Sequence, residues 1–190
     1  MRKILFYVLL FVGAMSMQSC QYNVMVDKQE TVEAQWSQVE NVYQRRADLI
    51  PNLVSTVKGY ANHEKEALTA VIEARAKATS VTVDPSNMKS VEQFQQAQDG
   101  LSSALSKLMV VVERYPDLKA NEGFLQLQSQ LEGTENRITV ERGKYNDTAR
   151  AYNTYIREFP NNIVAGMFDF EKAKYFEAKE GSDVAPKVEF

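Results

Sequence analysis

Apolar residues recur along this chain at alternating steps of four and three. From Val32 the series reads Val32, Trp36, Val39, Tyr43, Arg46, Ile50, Leu53, Val57 and Tyr60, eight of the nine apolar or aromatic. Leu49, Val54, Ala67, Leu68, Val71 and Ile72 widen and continue the stripe. A strand would need a period of two, which is missing, whereas this spacing puts the apolar set on one face of a helix. The pattern predicts a first helix over 26–79. Pro51 lies inside it and removes one backbone donor, so a kink near 47–51 is expected. The stripe keeps its phase through Pro51, which argues against a full break. Asp84-Pro85 reads as the N-cap and first-turn proline of a restart. The second helix then carries Val91, Phe94, Gln98, Leu101, Leu105, Leu108, Val112 and Tyr115 at the same spacing. Tyr115-Pro116-Asp117-Leu118-Lys119-Ala120-Asn121 is a turn. The third helix shows Phe124, Gln128, Leu131, Glu135, Ile138, Arg142, Tyr145, Ala149, Tyr152, Ile156 and Phe159. Phe159-Pro160-Asn161-Asn162 ends it, a short helix over 162–168 follows, and 180–190 reads as an extended tail. The fold class is all-α. It is an elongated antiparallel bundle of three long helices plus a short C-terminal helix, over 26–179, with near-parallel left-handed packing.

Four polar residues interrupt the stripes at core phase: Arg46, Gln98, Glu135 and Arg142. Counting along the expected hairpins puts Ile50 level with Tyr115, Leu101 with Glu135, and Phe94 with Arg142. Arg45 or Arg46 is then expected to pair with Asp117 or the carbonyls of its turn and brace the Pro51 kink. Glu135 is expected level with Glu64 and His63. Buried polar groups need partners, and such pairs set register more than they add stability. Arg45, Arg46, Asp117, Glu135 and Arg142 are therefore read as a structural polar network. The same counting leaves 26–45 projecting as a stalk whose seam of Val32, Trp36, Val39 and Tyr43 has no partner. A seam of that size does not stay in water. Either the segment after Pro160 folds back over it, or it pairs with a second copy in a coiled coil.

Ahead of the bundle, Arg2-Lys3 precedes a 12-residue apolar run, 4–15, followed by Met17-Gln18-Ser19-Cys20. The run is short of the roughly 18–20 residues that cross a bilayer, and a basic start with a small residue before the cut describes a secretory signal. Cys20 is the sole cysteine. Placed after Ser19, it matches a bacterial lipobox, where the thiol takes a diacylglycerol and becomes the mature N-terminus. The expected order is a signal peptide over 1–19, a lipid-anchored linker over 20–25, then the bundle. Gln21 favours outer-membrane sorting over retention.

Composition narrows the chemistry. The chain is 44% apolar and 25% charged, with a net charge of −3, and loss of Arg2 and Lys3 with the signal makes it −5. That balance gives no basic footprint for nucleic acid. A single histidine, His63, excludes paired-histidine metal sites. A lipidated Cys20 leaves no thiol. No glycine-rich phosphate loop and no Gly-x-Ser-x-Gly elbow occurs. His63 with Glu64 and Glu66 reads as a solvated face rather than a metal cluster.

The segments Ala34-Gln35-Trp36-Ser37-Gln38-Val39-Glu40, Arg45-Arg46-Ala47-Asp48-Leu49-Ile50-Pro51-Asn52-Leu53-Val54 and Val57-Lys58-Gly59-Tyr60-Ala61-Asn62-His63-Glu64 resemble the LemA family. So do the turn 115–121, Glu135-Asn136-Arg137-Ile138, Tyr145-Asn146, Tyr152-Asn153 and Phe159-Pro160-Asn161-Asn162-Ile163. The resemblance implies a membrane-anchored long-helix bundle with no established biochemical activity. This chain departs from the family pattern in having a lipobox where relatives keep a transmembrane helix, and in lacking a proline near 171–175. The expected function is a non-enzymatic, lipid-anchored envelope protein with no cofactor, sited at the outer membrane of a Gram-negative cell. It would act as a scaffold or adaptor for an unknown partner protein, with a homo-oligomer through 26–45 as an added option. The alternative is a ligand- or metal-sensing bundle built on the in-stripe polar residues.

Overall fold

The computed structural model describes the backbone of residues 2–84 and 87–177, with side chains from Gln21 onward, Met88 excepted. The side chains of residues 1–20, which hold the expected signal and Cys20, the Asp84-Pro85 restart at its proline, and the tail expected over 180–190 lie outside the described residues. Every described element is a helix: α1 Arg2–Tyr60, α2 Lys65–Ser80, α3 Met88–Val112, α4 Pro116–Lys119, α5 Glu122–Tyr155 and α6 Asn161–Met167. Among the described residues no helix is long and apolar enough to cross a membrane.

The first helix differs from its expected course. α1 passes through Pro51 as the unbroken stripe required, but it stops at Tyr60 instead of running to 79. The amide of Ala61 closes on the Val57 carbonyl at 2.8 Å, that of Glu64 on Ala61 at 3.1 Å, and the chain reverses into α2. The cause is local. Gly59 weakens the last turn, and Asn62-His63-Glu64 offers three polar residues with nothing to bury. The stripe hid this because Ala67, Leu68 and Val71 resume the same phase after the turn. Leu68, Val71 and Ala78 are buried in α2, while Ile72 stands half exposed.

Four helices therefore alternate in direction. α1 packs along α5 and against α2, and α2 packs against α3. The expected three long helices become an up-down-up-down set of four, α1, α2, α3 and α5, each consecutive pair joined by a short connection. Register shifts with the extra hairpin. Tyr60, not Ile50, meets the upper turn, where Asn121 Nδ2 donates to its hydroxyl at 2.9 Å. Glu64 lies beside Arg114 and Tyr115, not beside Glu135.

Caps mark the remaining starts. Asn87, rather than Asp84, caps α3, its side chain accepting from Lys89 N at 3.1 Å. Asn121 caps α5 by accepting from Phe124 N at 2.9 Å. A Cβ on Gly123 would stand 3.2 Å from that capping oxygen, so the glycine leaves it room.

The core forms two clusters along the axis. The upper one gathers Ile50, Leu53 and Val57 of α1 with Leu68, Val71, Leu101, Leu108 and Phe124. The lower one gathers Met25, Val32, Trp36, Val39 and Tyr43 with Phe94, Ile138, Tyr145, Tyr152, Val164 and Phe176. The seam of 26–45 is thus covered within one chain, by the lower half of α5, by α6 and by the segment 170–177. That removes the argument that exposure gave for pairing 26–45 with a second copy. Phe159, expected on the α5 stripe, is 81% exposed because α5 ends four residues before it.

Candidate functional site

Arg46 sits between the two core clusters, 2% exposed. Its Nη1 donates to Glu135 Oε2 at 2.8 Å and to Ser102 Oγ at 2.9 Å. Its Nη2 donates to Gln98 Oε1 at 2.6 Å and to the Gln98 carbonyl at 3.3 Å. Gln98 in turn donates through Nε2 to the Ala78 carbonyl on α2 at 3.3 Å. One guanidinium therefore ties α1 to α3 and α5 directly, and to α2 through one amide. Tyr43 lies under the guanidinium, 5.1 Å from ring centre to Cζ, and its phenol is held above its ordinary range, chiefly by burial. Arg46 Nε is buried and makes no hydrogen bond. Glu135 remains half exposed, so the ion pair has one dry and one wet end.

The wet end opens into a groove of about 310 Å³ between α3 and α5. Ser102, Leu105, Ser106 and Met109 form one wall, Gln128, Leu131, Glu132 and Glu135 the other, and Arg46 the floor. A second cleft, of about 190 Å³, lies lower down, where Glu33, Asp84, Asp169 and Glu171 surround the Tyr152 ring. Burial, with Glu171 and Glu33 adding, pushes the Tyr152 phenol up to about 12. No cluster of histidine, cysteine, aspartate or glutamate among the described residues is arranged to hold a metal ion. His63 is exposed, and the carboxylate of Glu64 accepts from Arg114 at 3.0 Å and from Tyr115 Oη at 2.8 Å.

The five residues read from sequence as one network separate into four places. Arg46 and Glu135 meet. Arg45 is exposed on the outer face of α1. Asp117 opens α4 at the upper end and is not the partner of Arg46. Arg142 joins the C-terminal segment, donating to the Glu177 carbonyl at 2.9 Å with its guanidinium 4.7 Å from the Phe176 ring centre. Counting was correct that Glu135 lies level with the Leu101 region and failed for Asp117 because α2 turns back at 61–64.

The brace at Pro51 is a residue the sequence reading missed. Proline has no amide, so the Ala47 carbonyl four residues back loses its helical donor. Arg75 Nε, from α2, donates to that carbonyl at 2.8 Å. The signal was available in principle: an internal proline orphans one named carbonyl.

Asn146 and Asn153 were also missed. Asn153 donates to the Ala173 carbonyl at 2.8 Å and accepts the Ala173 amide at 2.9 Å. Asn146 does the same for Phe176, at 3.0 and 2.8 Å. Seven helical residues rise about 10 Å, and so do three extended ones, so the two asparagines match residues 173 and 176. Tyr145 Oη adds a bond to the Lys174 carbonyl at 2.9 Å, and Gln95 Nε2 one to the Glu177 carbonyl at 3.0 Å. An extended strap is thereby stitched along α5, and it seats Phe176 flat on Trp36, with centroids 5.4 Å apart and planes 8° apart.

Comparison with known proteins gives the family. The LemA family model matches residues 35–190, from just before Trp36 through the strap. The chain belongs to the LemA family. Among curated LemA-like relatives, magnetosome protein MamQ 2 of Paramagnetospirillum magneticum is 28% identical over 182 residues, covering 86% of this chain and 67% of the relative. Magnetosome protein MamQ of Magnetospirillum gryphiswaldense is 25% identical over 190 residues, covering 88% and 70%. Protein LemA of Metamycoplasma hominis is 27% identical over 158 residues, covering 83% and 69%. The family match includes the buried arginine centre and both asparagines of the strap.

Proposed function

We propose that this LemA-family chain is a non-enzymatic, lipid-anchored envelope protein whose bundle serves as a rigid adaptor for a partner protein. The carrying observation is that the charged ends of the core arginines are occupied within the chain. Arg46 is held by Glu135, Gln98 and Ser102, and Arg142 by the strap, which leaves neither free as a reactive group. The anchor reading rests on Arg2-Lys3, the apolar run 4–15 and Ser19-Cys20, and on α1 leading from that region into the bundle as one helix. The relatives bear names of an organelle or of the family rather than of a reaction, which suits a scaffold reused in several settings. Outer-membrane sorting follows from Gln21. The ligand-sensing alternative is weakened, since His63 lies at the far end of the bundle, beside Glu64, Arg114 and Tyr115, and Arg142 is engaged by the strap.

The test has two arms. Cys20→Ala and globomycin are each expected to block maturation, and labelled palmitate is expected to enter the unmodified chain alone. Crosslinking of the mature protein in native membranes is expected to capture a protein neighbour. Normal maturation of Cys20→Ala contradicts the anchor, and the absence of any crosslinked neighbour contradicts the adaptor.

A further inference from the structure

We propose that the base of the bundle is a lipid-facing surface, and that Phe159, Ile163, Met167 and Phe168, grouped with Tyr22, seat in the interfacial layer of the membrane that holds the N-terminus. The inference deepens the anchor reading and rests on it.

Large apolar residues are exposed singly elsewhere, for example Ile72 on α2 and Val140 on α5, and single exposures are ordinary. Here they gather. Phe159 is 81% exposed, Met167 66%, Phe168 56% and Ile163 51%, all within ten residues of chain. Ile163 and Met167 are four apart on α6 and share one face. Asp169 then adopts φ 55° and the Phe170 amide closes on the Ala165 carbonyl at 3.0 Å, a left-handed stop that holds Phe168 at the rim.

The place of the patch selects its occupant. α6 packs against α1, and the Phe168 ring lies edge-on to Tyr22 with centroids 4.9 Å apart. Tyr22 is two residues from Cys20 in the same helix, about 3 Å along the axis at ~1.5 Å per residue. If the apolar run stays attached, Tyr22 stands ~10 Å beyond Met15 at the same rise. The lipidated geometry brings Tyr22 and its neighbours into the headgroup layer, which adds about 5–7 Å to each side of the hydrocarbon, and the attached run would leave Tyr22 roughly 3–5 Å outside it, within reach for the side chains of the base. Aromatic and long apolar side chains are the residues that settle there, reaching roughly 5–10 Å into the boundary. Arg157 and Lys172 line the adjoining cleft together with Asp169 and Glu171, so the rim carries both signs and apolar contact drives the seating.

Vesicles of phosphatidylethanolamine and phosphatidylglycerol, with and without brominated acyl chains, test this on the full lipidated chain. Ile163→Trp reports on the base, and Val140→Trp on the exposed side of α5 serves as reference. Trp36 is closed inside the bundle, so it gives the same background in both. The expected result is bromine quenching several-fold stronger at 163 than at 140. Met167→Glu in the Ile163→Trp chain is expected to abolish that difference while the protein still sediments with the vesicles. Sedimentation with equal, weak quenching at both positions overturns the lipid-facing base and leaves the anchor standing. A chain that stays in the supernatant with both probes unquenched overturns base and anchor together.

Discussion

A buried guanidinium with one half-exposed counter-ion gives an asymmetric response to mutation. Removing Glu135 strands a charge that is 2% exposed, whereas removing Arg46 leaves a carboxylate that water can reach. Glu135→Ala is therefore expected to cost about 2 kcal/mol, and Arg46→Met about 1 kcal/mol, mainly from the orphaned Gln98 oxygen. The double variant is expected to cost less than the sum of the two, read from urea unfolding. Strict additivity would show that the pair is not coupled. Tyrosines respond to pH in one direction. The Tyr152 phenol is pushed from the ordinary 10.0 up to about 12 in the folded chain. The unfolded chain gives up that proton first, so the stability is whole below pH 10 and is lost as pH rises toward 12. The urea midpoint is expected to fall across that window and Tyr152→Phe to flatten part of the fall. Burial raises Tyr43 and Tyr145 too, so a slope persists in the variant.

Two elements depend on a repair from outside themselves. α1 survives Pro51 because Arg75 replaces the missing donor at Ala47. Arg75→Met is expected to lower stability by about 1–2 kcal/mol, the cost of an unpaired carbonyl. In a Pro51→Ala background, where an amide returns to the helix, that loss is expected to shrink, and an unchanged loss would sink the repair. The strap 173–177 has no secondary structure of its own and is held by side chains of α5. Asn153→Ala removes both bonds to Ala173. Amide exchange is expected to quicken over 173–177 while α3 and α5 keep their protection. Equal exchange in variant and parent would show that the asparagine does not hold the strap. The sequence made the apolar stripes and α6 legible, because each rests on periodicity or a breaker, but it ran the third helix to Phe159, past its end at Tyr155. It concealed the hairpin at 61–64, because the apolar phase resumes across the turn. It concealed the strap as well, because Asn146 and Asn153 carry no apolar signal and their partners are backbone atoms.

At the scale of the molecule, that one hidden hairpin changes the account. It turns a three-helix bundle with an open stalk into four alternating helices over two core clusters, with Arg46 between them. α2 brings the foot of α3 down beside Trp36 and Tyr43, so Phe94 meets both rings. The strap closes the remaining side with Phe176. The result is a closed bundle with its apolar seam inside and its aromatic base at the end where α1 enters from the N-terminus. The sole tryptophan, Trp36, is 3% exposed at the centre of the lower cluster and reports on this directly. Acrylamide quenching of Trp36 in the intact chain, compared with a chain ending at Phe170, is the decisive measurement. The account predicts weak, concentration-independent quenching in the intact chain and strong quenching once the strap is gone. Strong quenching in the intact chain, or protection that appears only at high concentration, would contradict it.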